Sequence, residues 1–244
     1  MTIALAQVRS HDGDVSHNVD RHLAALRAAR PHAPDLVVFP ELSLTNYAPE
    51  LAGASALSPD DGRLAPFQRY ADETGTTIAV GAPLATDGKP QIAFLVFQPE
   101  EPPTAVGKHH LHADEVPFFS PAPDSPAVLV LSARVGLAIC YEVTVREHAD
   151  ALADQGIDLY LASVAKTPRG MDAARTALAE TARRLGVPAL LVNSVGTCEG
   201  QIAGGGSFAL RADGSPLAAL PPTEEGLLLV DTISLHTTVL AVGA

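Results

Sequence analysis

The sequence predicts an α/β protein that forms a single domain. Short runs of aliphatic and β-branched residues alternate along the chain with stretches whose apolar residues recur at helical spacing. No linker, repeat or low-complexity block divides the 244 residues, of which 47% are hydrophobic. A chain of this length and composition can bury one large core, so we expect one domain over residues 1–244.

The β-rich runs predict strands throughout the chain. The predicted strands are Thr2–Val8, Leu36–Phe39, Thr76–Val80, Gln91–Phe97, Thr104–Val106, Ala127–Leu131, Arg134–Cys140, Leu159–Ser163, Ala189–Ser194, Ser207–Arg211, Pro216–Ala219 and, as the last, Gly226–Val230. Turn signals at Thr86-Asp87-Gly88 and Ala212-Asp213-Gly214 indicate hairpins. The Pro-rich patches near 99–103 and 117–126 are predicted loops, and Gly204–Gly206 is a predicted bend.

Helical spacing predicts the elements between these strands. The first helix has Ser16 as its predicted N-cap, with Val19, Leu23 and Leu26 on its apolar face. The other predicted helices are Asp60–Gly75, Arg146–Gln155 and Met171–Leu185.

Charge and cysteine content exclude several classes of function. The net charge of −12 argues against a nucleic-acid partner and against an anionic membrane surface, because both require clustered Lys and Arg. The N-terminal segment lacks the features of a signal peptide, and no apolar run approaches the roughly 20 residues of a membrane span. Two cysteines cannot build a disulfide framework, so we expect a cytoplasmic protein.

Three polar residues lie where predicted strands end. Glu41 follows LVVFP, Lys108 follows a β-rich run, and Cys140 ends VGLAIC. Taken singly, each has an ordinary explanation, since a lone cysteine on an apolar strand is usually core and a loop Glu or Lys is usually solvated. Together they form a coherent chemistry. A carboxylate can remove the proton of a thiol, and an ammonium can stabilise the thiolate and a tetrahedral oxyanion.

The segments around these residues carry a family resemblance. VVFPELSLTNY, GKHHLHADEVPFFSP and VGLAICYEVTVREHA resemble, in order and approximate spacing, the three signature segments of the nitrilase superfamily, the carbon–nitrogen hydrolases. LYLASVAKTP, LLVNSVG and GGGSFALRADGSPL resemble later segments of that family. The resemblance therefore extends over nearly the whole chain.

This resemblance implies a fold and an assembly. The fold is a four-layer α-β-β-α sandwich of the carbon–nitrogen hydrolase type, often paired across a two-fold axis, so a homo-oligomer, either a dimer or a multiple of it, is expected. The implied chemistry needs no cofactor and no metal, and the only partner expected is a small-molecule amide substrate. His109, His110 and His112 could suggest a metal, but no clear set of further ligands accompanies them.

The resemblance also assigns roles to particular residues. It implies that Glu41 is general base and acid, Lys108 the oxyanion stabiliser and Cys140 the nucleophile, with the backbone amide of Tyr141 in the oxyanion hole. Glu115 corresponds to a second carboxylate that helps place the substrate or holds the lysine. Glu142 is expected to bind backbone amides near the nucleophile, and Cys198 to be a bystander. The residues expected to line the substrate pocket are Tyr47, Val143, Arg146 and Ala165.

The sequence departs from the family pattern at three places, and the last of them puts the substrate class in doubt. Asn46 and Ala122 stand where glycine is common, although Asn tolerates left-handed backbone better than most residues. Val145-Arg146-Glu147 replaces a frequent aromatic-Pro-Glu. Arg146 or Arg169 could bind a substrate carboxylate, although surface or dimer contacts are the preferred interpretation.

Several functions remain open at this stage. Hydrolysis of a small carboxamide or a carbamoyl compound is the leading hypothesis, and Cys-Tyr-Glu at the nucleophile resembles the amidase-like branches. Nitrile hydrolysis is the alternative with the same triad, although nitrilases more often carry a tryptophan after the cysteine and this chain has none. An acyl transferase that uses the same thioester and a non-catalytic scaffold member are the remaining hypotheses.

Overall fold

The computed structural model of the chain describes residues 1–123, 126–198 and 200–242. Its strands, in chain order, are β1 (Thr2–Gln7), β2 (Leu36–Val38), β3 (Thr77–Leu84), β4 (Gln91–Phe97), β5 (Thr104–Gly107), β6 (Val128–Val130), β7 (Arg134–Ile139), β8 (Leu159–Val164), β9 (Ala189–Asn193), β10 (Thr197–Cys198), β11 (Gln201–Ile202), β12 (Phe208–Leu210), β13 (Pro216–Ala219), β14 (Gly226–Asp231) and β15 (Thr237–Ala241). The α-helices are α1 (Val15–Ala29), α2 (Ala52–Ser55), α3 (Ala65–Thr74), α4 (Arg146–Asp154) and α5 (Pro168–Leu185).

The strands form two large sheets and one small hairpin. Within the described residues, the first sheet has the order β15-β14-β1-β2-β3-β4-β5 and the second β13-β12-β9-β8-β7-β6. Strands β1, β2 and β3 are parallel to one another, as are β7, β8 and β9. Parallel strands end at the same edge of a sheet, so the residues that follow β7 and β8 lie at one edge of the second sheet, and those that follow β2 lie at one edge of the first. Such strand ends are well placed to form a site.

Successive side chains along a strand point to opposite faces of the sheet, and both faces of the first sheet are apolar. In β1, Ile3 and Leu5 pack into the core cluster that includes residues of the second sheet, whereas Ala4 and Ala6 pack with residues of α1 and α3. Met171 and Leu178 of α5 pack on the second sheet within the first of these clusters. The layers are therefore helix, sheet, sheet and helix, and the predicted mixed α/β sandwich is confirmed.

The sequence misplaced some element boundaries. The N-cap of α1 is Asp14, whose carboxylate accepts the N–H of His17 at 3.1 Å, and not Ser16. The prediction that Gly226–Val230 is the last strand is wrong, because β15 pairs antiparallel with β14. The strand predicted at Thr76–Val80 continues to Leu84, where it pairs with Gln91. Cross-strand pairing, which no local pattern encodes, decides both of these strand ends.

Helix starts also differ from their predictions. The helix predicted at Asp60–Gly75 begins at Ala65, after a 3₁₀ turn at Gly62–Leu64, and Gly75 caps it in the left-handed conformation with a φ of 72°. The helix predicted from Met171 begins at Pro168, a residue whose fixed φ suits a first helical turn.

Two further expectations concern loops and membranes. The predicted loop at 117–126 is irregular as far as residue 123 and at residues 126–127, whereas Asp124 and Ser125 lie outside the described residues. No helix within the described parts of the chain is long and apolar enough to span a bilayer.

Candidate active site

Cys140 sits on a strained turn at the end of β7. The strand ends at Ile139, and a 3₁₀ turn begins at Cys140 itself, which has a φ of 49°. The left-handed region costs a non-glycine residue about 1–2 kcal/mol, so the surrounding contacts must hold this conformation. Tyr141 is the second residue of the turn, where backbone N–H groups have no partner within the turn. The arrangement places the thiol and the first backbone N–H groups of the turn at one corner.

The Glu142 carboxylate holds this turn in place. It accepts the N–H of Ile139 at 2.7 Å and the N–H groups of His109 and His110 at 2.6 and 3.2 Å. One buried side chain thus connects the residue before Cys140 to the two residues after Lys108. The predicted contact of Glu142 with backbone amides is confirmed.

Glu41 lies on a second tight turn, at the end of β2. Leu42 has a φ of 52°, and the chain turns back so that the Leu44 N–H donates to the Gly81 carbonyl at 2.9 Å. A Cβ atom on Gly81 would lie 2.3 Å from the Pro40 oxygen and 2.4 Å from the Leu42 nitrogen. The close approach of β3 to the Glu41 turn therefore requires glycine at position 81.

Lys108 joins two carboxyl groups in the interior. Its ammonium donates to Glu41 Oε1 at 2.9 Å and to Glu115 Oε1 at 2.6 Å, and all three side chains are inaccessible or nearly so. The other oxygen of Glu41 accepts the N–H of Ala165 at 3.1 Å. Both carboxyl groups are thereby fixed by hydrogen bonds, as buried charges require.

Burial dominates the acid–base properties of these groups. It raises the pKa of the Glu41 carboxyl, with a further contribution from the Glu115 charge, while the Lys108 ammonium and the Cys140 thiol act against this shift. Burial and the Glu41 charge raise the pKa of the Cys140 thiol to about 12, against the opposing charge of Lys108. Burial acts to lower the pKa of Lys108, but Glu41, Cys140 and Glu115 outweigh it and raise that pKa. The lysine is therefore a permanent cation.

The structure brings Glu41, Lys108, Glu115 and Cys140 together from four separate segments. Cys140 is buried, with 9% of the residue exposed, and its thiol and the Glu41 carboxyl are near enough to shift each other's pKa. Glu115 also accepts the Tyr47 hydroxyl at 3.0 Å and the His112 N–H at 2.7 Å. Glu115 therefore has the contacts of a residue that holds the lysine.

The residues predicted to line the pocket lie in different surroundings. Tyr47 is buried, with its hydroxyl on Glu115, and Ala165 offers its N–H to Glu41. Val143 and Arg146 line a separate surface cavity against α5. The Arg146 side chain, 69% exposed, forms an ion pair with Asp150 at 3.6 Å. Tyr141 is 38% exposed, with its ring 5.3 Å from that of His112.

The two departures at glycine positions are accommodated locally. Asn46 has a φ of 58°, which confirms the expected left-handed backbone, and its side chain donates to Asp12 and to the Thr197 carbonyl at 2.7 and 2.9 Å. The Ala122 N–H donates to the Lys108 carbonyl at 2.8 Å. Alanine at this position therefore leaves the loop attached to the Lys108 segment.

Two polar residues at the end of β8, Ser163 and Lys166, were not among the residues expected in the site. The Ser163 hydroxyl in β8 donates to the Phe39 carbonyl at 2.9 Å, directly before the Glu41 turn. Lys166 follows β8 and the Glu41 contact of Ala165, so the rule that singled out Glu41, Lys108 and Cys140 could also have found it. Within the described residues, no group of three or more His, Cys, Asp or Glu side chains is arranged to hold a metal.

Comparison with known proteins identifies the family to which the chain belongs. The family model described as carbon-nitrogen hydrolase matches residues 2–240. Among curated relatives, the glutamine-dependent NAD(+) synthetase of Rhodobacter capsulatus is 29% identical over 94% of the chain, and an (R)-stereoselective amidase of a Pseudomonas species is 29% identical over 89% of it. The chain spans 43% of the length of that synthetase and 80% of that amidase.

Solved structures of an amidase from Nesterenkonia sp. AN1 resemble the fold closely. One of them, a variant with the acetamide moiety of fluoroacetamide added covalently at the active-site cysteine, has a TM-score of 0.85 and 26% identity, covering 95% of this chain and 89% of that one. Another variant, in complex with butyramide, has a TM-score of 0.84 and 26% identity, covering 95% and 90%. The chain therefore belongs to the carbon-nitrogen hydrolase family, in the amidase-like part of the nitrilase superfamily.

Proposed function

We propose that this chain hydrolyses a small carboxamide or carbamoyl C–N bond through a thioester on Cys140 and releases ammonia. The observation that carries the proposal is the buried Glu41 carboxyl, which lies beside the Cys140 thiol and accepts a hydrogen bond from Lys108 at 2.9 Å. A base, a nucleophile and a fixed cation are the minimum set for such acyl transfer.

The first half of the reaction makes the thioester. The sulfur attacks the amide carbon while its proton passes to Glu41, because a thiol with a pKa raised to about 12 does not ionise beforehand. Lys108 and the Tyr141 N–H stabilise the negative oxygen of the tetrahedral intermediate. Glu41 then gives its proton to the nitrogen, the C–N bond breaks, and ammonia leaves.

The second half returns the enzyme to its starting state. Glu41 takes a proton from a water molecule, whose oxygen attacks the thioester carbon. The second tetrahedral intermediate collapses, the C–S bond breaks, and the sulfur regains its proton from Glu41. Glu115 keeps Lys108 in position through both halves, since its Oε1 atom accepts from the lysine and from Tyr47.

The nucleophile assignment is tested by replacing Cys140. We expect Cys140→Ala to abolish ammonia release from a panel of amides, ω-amides, carbamoyl amino acids and nitriles, with the circular dichroism spectrum unchanged. Mass spectrometry of the wild-type enzyme should detect the acyl adduct on Cys140. Retained activity in Cys140→Ala would exclude Cys140 as nucleophile, and a wild-type enzyme with neither adduct nor ammonia would favour the scaffold hypothesis.

Glutamine amide hydrolysis is a second candidate. The similarity to a glutamine-dependent NAD(+) synthetase covers 94% of this chain but only 43% of that relative, so the match is confined to one part of the synthetase. Ammonia release from glutamine at rates above those for other amides would favour this candidate, whereas inert glutamine beside hydrolysed simple amides would reject it.

A further inference from the structure

Lys166 is held rigidly next to the proposed reaction centre. Its N–H donates to Asn193 Oδ1 at 2.9 Å, and its carbonyl accepts from Asn193 Nδ2 at 3.1 Å and from the Gly204 N–H at 2.7 Å. The preceding residue, Ala165, contacts Glu41. The backbone that carries this lysine is therefore as fixed as the backbone that carries the triad.

The Lys166 side chain has a defined path. Its Cβ, Cγ and Cδ atoms lie 3.3, 3.5 and 3.6 Å from the position that a Cβ on Gly170 would occupy, so the apolar stem runs along the first turn of α5. The residue is half-buried. Packing of the stem reduces the entropy that an ion pair would otherwise cost a lysine.

The charge of Lys166 is close enough to influence the pKa of Cys140, and within the described residues no carboxylate forms an ion pair with it. Together with Lys108, it lowers the pKa of the Cys140 thiol, although less strongly than burial raises it. Lys108 has two carboxylates within 4 Å, whereas no ion pair involves Lys166 among residues 1–123, 126–198 and 200–242. A half-buried cation beside a reaction centre is available to an anionic group of a ligand.

The proposed reaction limits which part of the substrate can reach this cation. The carbonyl must lie against Cys140, Lys108 and the Tyr141 amide, and the leaving nitrogen must face Glu41. Only the acyl portion remains for Lys166. We propose that Lys166 determines specificity by binding a carboxylate on the acyl portion of the substrate, which makes the ω-amides of short dicarboxylates the preferred class. This inference rests on the proposed amide hydrolysis.

Matched pairs of substrates test the proposal. Succinamate and butyramide differ in a terminal carboxylate against a methyl group, as do glutaramate and pentanamide. We expect the wild-type enzyme to prefer the anionic member of at least one pair in kcat/KM. Lys166→Met should reduce kcat/KM for that member by about 10- to 150-fold, mainly through KM, because a hydrogen bond to a charged group is worth that factor in affinity. The neutral member should change by less than about 3-fold, and Lys166→Arg should restore most of the loss.

Control variants separate this role from general effects of charge or structure. Arg27→Met removes one exposed cation from α1 and should leave both members of each pair unchanged. If Lys166 acted instead by activating Cys140, Lys166→Met would lower kcat for the neutral and the anionic amides alike. That outcome, or equal wild-type activity on both members of both pairs, would overturn the proposal.

A binding measurement distinguishes this inference from the proposed function. Calorimetry on Cys140→Ala, with and without Lys166→Met, reports affinity for succinamate, glutaramate and their neutral counterparts without any turnover. Lys166-dependent binding of an anionic amide supports the inference even if the wild-type enzyme releases no ammonia, a result that would reject only the hydrolysis. Absence of binding, or binding that Lys166→Met does not weaken, rejects the inference.

Discussion

In the proposed reaction, the Cys140 thiol is the proton donor and the Glu41 carboxylate is the proton acceptor. Burial keeps the thiol protonated, with its pKa raised to about 12, and the same burial raises the pKa of the Glu41 carboxyl above its ordinary value. A carboxylate with a raised pKa is a stronger base than one in water, so the proton has a nearby destination during attack. We therefore expect the reactivity of the sulfur to depend on Glu41 rather than on preformed thiolate.

The first prediction concerns the acid limb of the pH–rate profile. Glu41 accepts a proton only when ionised, so activity should fall as the pH drops through its raised pKa, at a pH above the ordinary value for Glu of about 4.3. Because the Glu115 charge contributes to this rise, Glu115→Gln should move the acid limb to lower pH. The measurement is kcat/KM between pH 4 and pH 9, and an acid limb below about pH 4 in the wild-type enzyme would contradict the assignment.

A second prediction concerns Lys108. In the proposed reaction Lys108 faces the developing oxyanion, so Lys108→Met should lower kcat by at least about 100-fold, as is typical for one such donor. Steady-state kinetics would measure this loss, and circular dichroism would verify that the variant folds. A change confined to KM would instead identify Lys108 as a substrate-binding residue.

At the scale of elements, helix α1 is fixed by a buried histidine. His22 Nδ1 donates to the Asn18 carbonyl at 2.6 Å, Nε2 lies 2.8 Å from Ser43 Oγ, and the ring stacks on Phe39 at 4.2 Å. With Nδ1 as donor, Nε2 of the neutral ring accepts from the serine hydroxyl. Burial lowers the pKa of His22 to about 3, so the helix docks with an uncharged imidazole.

The third prediction follows from this lowered pKa. The unfolded chain binds a proton at His22 near pH 6.5 and the folded chain only near pH 3, so the stability that a neutral ring contributes is present above pH 6.5 and is lost as the pH falls towards 3. The loss should reach about 1.4 kcal/mol per pH unit relative to His22→Gln. Urea denaturation between pH 7 and pH 4 measures it, with exposed His17→Gln on the same helix as the control. Parallel curves for the wild-type protein and His22→Gln would contradict the prediction.

Local sequence determined much of this architecture, and cross-strand contacts determined the remainder. The strands β2, β7 and β8, and the polar residues Glu41 and Cys140 at the ends of the first two, could be predicted because apolar runs with abrupt polar ends have few alternative interpretations. The strand β15 could not, since Thr237–Ala241 is polar at its start and becomes a strand by pairing with β14. Tyr47 was expected to line the pocket, and its contact with Glu115, 68 residues away, has no local signature.

At the scale of the whole molecule, the site lies across the seam between the two sheets. Glu41 and Lys108 follow strands of the first sheet, whereas Cys140 and Ala165 follow strands of the second. The Ser163 hydroxyl in β8 bonds the Phe39 carbonyl, so a direct hydrogen bond joins the sheets beneath Glu41. The homo-oligomer implied by the family resemblance stays a prediction, which sedimentation velocity would check.

The fourth prediction concerns this bond between the sheets. Ser163→Ala leaves the buried Phe39 carbonyl without its serine donor and should lower the free energy of unfolding by about 1–2 kcal/mol. It should also reduce kcat/KM by about 10-fold or more, because Glu41 shifts relative to Cys140. Thr76→Val is the matched control. It removes a buried hydrogen bond to the Pro34 carbonyl just before β3, whereas the Glu41 turn packs on Gly81 further along that strand. Equal activity of the two variants would show that the bond at Ser163 does not align the site.

Because the proposed catalytic residues are divided between the two sheets, turnover should depend on how the two halves of the sandwich are aligned. Each sheet could keep its own ladder of hydrogen bonds, and hence its spectroscopic signal, while sliding by a fraction of an ångström against the other. Such a slip separates Glu41 from Cys140 first, since they belong to opposite sheets. On heating, ammonia release should therefore decline before circular dichroism reports any loss of structure, and it should recover on cooling if the slip is reversible.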